Sequence, residues 1–171
     1  MILSCGSKKL KFTVLGKPQA QQRPKFNSFT KRAHDPKESA EYKSNVRAMA
    51  TVAVLENNWT MCHREMPVSV NIISYRPIPT SVPMWKKNAA IHGLIPPLGR
   101  NADIDNVMKG ILDAMNGVVY EDDCQVFKLT GESRYSDVPR VEIEIEAYFV
   151  SIGDVKEKAA ALRKTAAKKK E

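Results

Sequence analysis

Apolar residues recur at two spacings along the chain. Lys11 to Leu15 alternates, with Phe12 and Val14 on one face, and predicts a short strand that Gly16-Lys17-Pro18 breaks. Gln19 to Lys37 is polar, basic and almost without aliphatic residues, which predicts a loop. Val46, Met49, Ala50, Ala53 and Val54 then fall on one face of a helix from about Ser39 to Glu56. Pro67 to Tyr75 alternates through Val68, Val70 and Ile72 as a strand. Pro77 to Gly99 carries five prolines and two glycines in 23 residues, so a long loop is expected. A second helix should run from Asp105 or Asn106 to Met115, with Val107, Ile111, Leu112 and Met115 as its apolar stripe and Asn116-Gly117 as its stop. Gln125–Tyr135 and Val141–Phe149 complete the pattern as two strands. In the second, Val141, Ile143 and Ile145 alternate with Glu142, Glu144 and Glu146, which belong on a solvent face.

The order β-α-β-loop-α-β-β predicts an α+β fold, one domain over residues 1–153 around a mixed sheet. Residues 154–171 are rich in Ala and Lys with few large apolar groups, and are expected to form a tail, at most an exposed helix. Trp59 and Trp85 are assigned to packing.

Charge changes this picture more than composition does. The net charge is +8, from 27 Lys and Arg against 19 Asp and Glu, which favours a polyanionic partner. Residues 1–37 carry nine bases and one acid, and residues 154–171 seven bases and three acids. Residues 38–153 carry eleven bases and fifteen acids, so an acidic centre lies between two basic ends. No apolar run approaches the roughly 20 residues of a membrane span, and the first residues lack a signal-peptide core. A cytoplasmic protein is expected. Cys5, Cys62 and Cys124 form no CxxC pair, and His34, His63 and His92 have no zinc-like spacing. Phosphate-loop, dinucleotide-binding and GxSxG motifs are absent, so no nucleotide cofactor is expected.

The acids concentrate between Asp103 and Asp123. Asp103, Asp105, Asp113, Glu121, Asp122 and Asp123 fall in 21 residues, with Lys109 the one base among them. Asp103 and Asp105 precede a helix N-terminus, where the dipole favours negative charge, and Lys109 lies one turn on. Clustered carboxylates repel unless something compensates them. A hard divalent cation such as Mg²⁺ does so, and supports phosphodiester hydrolysis. The same acids also read as caps, turn residues and solvated surface. Asp113, four residues after Lys109, is expected to be its partner on the helix face or a residue that supports the carboxylate site from behind. Phe26 and Phe29, among Arg23, Lys25, Lys31 and Arg32, fit base stacking or loop packing equally.

Asp103-x-Asp105-Asn106-x-x-Lys109, Asp113 and Tyr120-Glu121-Asp122-Asp123-Cys124-Gln125-Val126 together resemble the core signature of RusA-type Holliday junction resolvases, frequent in phages and prophages. Gly16-Lys17-Pro18, Gln22-Arg23-Pro24-Lys25 and Arg76-Pro77 are similar to further elements of that family. The resemblance covers residues 10–149 and implies a Mg²⁺-dependent homodimer, with Mn²⁺ as a substitute, that nicks two symmetric strands of a four-way or branched DNA. It implies Asp103, Asp105 and Asp123 as metal ligands, Lys109 as the catalytic lysine and Asp122 as an auxiliary acid. Lys17, Arg23, Lys25, Lys31 and Arg32 would grip DNA phosphates. Ala102 departs from members that carry a base there, a place Arg100 is positioned to take. Competing expectations are a non-catalytic branched-DNA-binding protein and a less selective flap or fork nuclease.

Overall fold

The structure is a computed structural model that describes residues 6–22, 25–27, 32–34, 36–98 and 103–168, with side chains left out at 25–27, 32–34, 152 and 164–168. The element order is β1 (Gly6–Leu15), β2 (Lys25–Asn27), β3 (Arg32–His34), α1 (Lys37–Glu56), β4 (Val68–Pro77), α2 (Met84–Ile91), α3 (Ile104–Met115), β5 (Val126–Ser136), β6 (Arg140–Phe149) and α4 (Ile152–Lys168). The main sheet has the order β1-β6-β4-β5. Strand β6 pairs antiparallel with β1 and β4, and β4 pairs parallel with β5. The fold is α+β around a mixed sheet, as the pattern predicts.

One sheet face is apolar and the other charged, because the strands alternate at period two. Leu10, Val14, Val68, Val70, Ile72, Val141, Ile143 and Ile145 are buried on the inner face. Val46, Ala50 and Ala53 of α1 and Val107, Ile111 and Met115 of α3 join the same core. The outer face carries the glutamates of β6, paired with β1: Lys11 Nζ lies 3.0 Å from Glu144 and Lys9 3.4 Å from the same carboxylate. The expected solvent role of that ladder holds.

Four differences separate expectation from structure. The loop between Gln19 and Lys37 contains a small hairpin, β2 with β3. Helix α1 starts two residues before Ser39, after Pro36, and the Ser39 hydroxyl instead accepts the Gln22 amide at 3.2 Å. The proline-rich loop contains α2, opened by Pro83 at a position where a missing N–H is tolerated. Trp85 on α2 is 65% exposed, so its assignment to packing is corrected, whereas Trp59 is buried and donates Nε1–H to the Val119 carbonyl at 3.0 Å. The last segment is helix α4, whose described side chains from Gly153 to Arg163 are exposed. Among the described residues, no helix is long and apolar enough to cross a membrane.

Candidate active site

The N-terminus of α3 is set by its contact with β5. A Cβ at Gly131 would run into Met108 Sδ and stand 3.3 Å from Ile104 Cγ1, so the missing side chain lets the first turns of α3 lie against the strand. Asp103 is the residue before that helix, and its carbonyl accepts the Val107 amide at 3.3 Å. Its carboxylate makes no cap bond; Oδ2 accepts Asn106 Nδ2–H at 2.7 Å. The neighbouring carboxylates perturb each other: Asp105 raises the pKa of Asp103, and Asp103 lowers that of Asp105. Two exposed carboxylates, one of them oriented by Asn106, are the hard oxygen donors that Mg²⁺ takes, so this pair fits the ion. Lys109 is exposed one turn along from Asp105.

The basic N-terminal loop is tied to this helix. The Gln21 amide donates to the Asn106 carbonyl at 3.0 Å, and its side chain donates to Asp113 Oδ2 at 3.0 Å. Lys43 of α1 donates to the same oxygen at 3.1 Å. Asp113 is therefore a brace between the loop, α1 and α3, which corrects its expected pairing with Lys109. Lys17 is exposed at the start of this loop. Lys25 lies in β2 and Arg32 in β3; Arg23 and Lys31 lie outside the described residues.

Asp122 and Asp123 occupy a separate corner. Asp122 caps the single 3-10 turn Asp123–Gln125, accepting the Cys124 amide at 3.0 Å. Gln125 Oε1 accepts the amides of Glu121 and Asp122 at 3.0 and 3.1 Å. Its Nε2 donates to the carbonyls of Cys62, His63 and Met66 at 3.3, 2.6 and 3.1 Å. The Asp123 carboxyl is raised, by burial first and then by contact with Asp122. It faces Asp113 and the buried Tyr120, whose hydroxyl donates to the Leu112 carbonyl at 3.1 Å. Asp123 thus stands within electrostatic reach of Asp113, in the last turns of α3. Among the described residues, no three carboxylate, histidine or cysteine groups converge on one ion.

Sequence reasoning missed Gln125 as a brace, although the Asp-x-x-Gln spacing from Asp122 is a capping-box signal. It also missed Gln21 and Lys43, whose roles arise only when α1 and α3 pack. Of the described thiols, burial pushes Cys62 up to about 11, and the carboxylate of Asp122 raises Cys124.

An uncharacterized protein of Bacillus subtilis (strain 168), YqaN, is 39% identical over 140 residues, covering 80% of this chain and 94% of that protein. The family model described as endodeoxyribonuclease RusA matches residues 16–146, which takes in the tethered loop, the α3 carboxylates and the Asp122–Asp123 corner. The chain belongs to the RusA endodeoxyribonuclease family, whose members are junction-resolving nucleases acting on branched DNA.

Proposed function

We propose that the protein resolves four-way DNA junctions by Mg²⁺-dependent paired nicking as a homodimer, in recombination, repair or phage replication. The observation that carries this reading is the exposed Asp103–Asp105 pair at the start of α3, with Asp103 fixed by Asn106. Mg²⁺ commonly needs only one or two protein carboxylates and completes its shell with water and substrate phosphate. When bound, it polarises a phosphoryl oxygen and lowers the pKa of water. Asp103 and Asp105 would hold it, with Mn²⁺ as a substitute. Lys109 would offset charge developing on the phosphoryl group. Asn106 orients Asp103 through its 2.7 Å bond. Asp123 is the third carboxylate of the proposal and Asp122 its auxiliary acid. Lys17, Arg23, Lys25, Lys31 and Arg32 would hold the DNA arms, and the bonds from Gln21 to Asn106 and Asp113 bring their loop to α3.

The test compares a synthetic four-way junction, a flap and a linear duplex at one salt concentration, with Mg²⁺, with Ca²⁺ and without metal. Paired nicks in the junction with Mg²⁺ only are expected. Equal cutting of flap and junction would favour a less selective nuclease. Binding without nicking would favour a non-catalytic junction-binding protein.

A further inference from the structure

The buried stripe of β4 changes character at one end. Val68, Val70 and Ile72 are core residues, but the next two inward positions are Ser74 and Arg76, buried at 0% and 8% exposure. On the parallel partner β5, Gly131, Ser133 and Tyr135 stand in register with Ile72, Ser74 and Arg76. Gly131 is where Ile104 and Met108 bring α3 against the sheet. The polar end of the stripe therefore lies at the start of α3, where Asp103 and Asp105 are.

The polar atoms there lack partners. Arg76 Nε and Nη2, Ser74 Oγ, Ser133 Oγ and Tyr42 Oη are all buried without a hydrogen bond. Arg76 forms no ion pair among the described residues, and the carboxylate whose charge reaches it is Asp103, already bonded to Asn106. A guanidinium stays charged and can only donate. Burying it unpaired is costly, and natural cores avoid doing so without a reason. Its planar fork of N–H groups matches two oxygens of a phosphate, and a helix N-terminus beside it adds favourable potential for an anion.

We propose that Arg76, supported by Ser74, Ser133 and Tyr42, binds a backbone phosphate of the DNA beside the Asp103–Asp105 pair. This rests on the nuclease reading and adds a substrate contact that aligns the strand at the carboxylates. The guanidinium donates to two non-bridging oxygens, and the three hydroxyls surround that contact.

The experiment uses four-way junctions with a single neutral methylphosphonate at the mapped scissile phosphate or at either neighbour, bound in Ca²⁺. Wild type should lose about tenfold in affinity at one of the three positions. Arg76→Met should lose about tenfold on the unmodified junction and nothing further at that position, with a salt slope smaller by about 0.9. Its melting temperature should match or exceed wild type, because the free protein sheds an uncompensated buried charge. Arg76→Lys should keep the salt slope and lose part of the affinity, because an ammonium cannot fork. Wild-type binding and slope in Arg76→Met would overturn the assignment. So would a lower melting temperature with equal losses at all three positions, which marks a core brace. If wild type itself binds no branched DNA, the nuclease reading falls and this assignment with it; an Arg76→Met protein that matches a cutting wild type removes Arg76 alone.

Discussion

The two acidic corners of the molecule are built in opposite ways. At the start of α3, the neighbouring carboxylates of Asp103 and Asp105 perturb each other, and the buried polar atoms of Arg76, Ser74 and Ser133 have no partner. At the Asp122–Asp123 turn nearly everything is satisfied: Asp122 caps, and Gln125 alone makes five hydrogen bonds to the backbone. A corner with spare donors and mutually repelling acids is finished by a ligand; a corner with none is finished by the chain. The first is the reaction centre of the account, and the second is held rigid so that Asp123 keeps its place.

Asp123→Asn challenges this contrast most strongly. If Asp123 shares in the chemistry, junction cleavage should fall about a thousandfold. The melting temperature should stay near wild type. Asp122→Ala, which removes a cap and the auxiliary acid, should instead lower the melting temperature by about 3 °C and reduce cleavage only about tenfold. Gel assays of nicking and thermal melts of the two variants separate these roles.

Gln125→Ala should be the most destabilising change at the second corner. It strips the Asp122 amide and the Met66 carbonyl of their partner and weakens the bonding of Glu121, Cys62 and His63 around a residue that is 5% exposed, and should cost on the order of 3 kcal/mol, or about 10 °C in calorimetry. Gly131→Ala acts at the first corner. The added methyl must push Met108 aside, costing about 1–3 kcal/mol and lifting the start of α3, so kcat should fall more than stability explains.

The smallest effect expected is in pH. The Asp103 pKa is raised by the neighbouring Asp105 carboxylate, so its proton competes with a cation up to a higher pH than for an ordinary carboxyl. Cation affinity should therefore weaken as pH falls through the raised Asp103 value, and strengthen as pH rises past it. Titrating Mn²⁺ at several pH values, in wild type and Asp103→Asn, checks this: the variant should bind more weakly and with a flatter pH dependence.

Periodicity made most of the fold legible before any coordinate was known. The inner residues of β4 and β6 and the stripe of α3 are long, regular patterns, and they sit where alternation and helical spacing place them. Helix α2 was hidden because five prolines dominate its segment, although Pro83 is itself a start signal. The six acids were equally visible, but not their division. Spacing shows that Asp103 and Asp105 are neighbours. It does not show which carboxylates act on Asp123, Asp122 and Asp113 among them, since that depends on the return from Met115 to Val126. Arg76 stood out in the sequence only beside Pro77. Its burial follows from the register of β4 with β5.

The most direct test of the central claim is Asp105→Asn, assayed on one synthetic four-way junction. Affinity is measured in Ca²⁺ and cleavage in Mg²⁺. The account predicts junction affinity within about threefold of wild type and cleavage reduced by about a thousandfold or more. Mg²⁺-dependent cleavage at the wild-type rate would contradict it, and would remove the Asp103–Asp105 pair as the reaction centre.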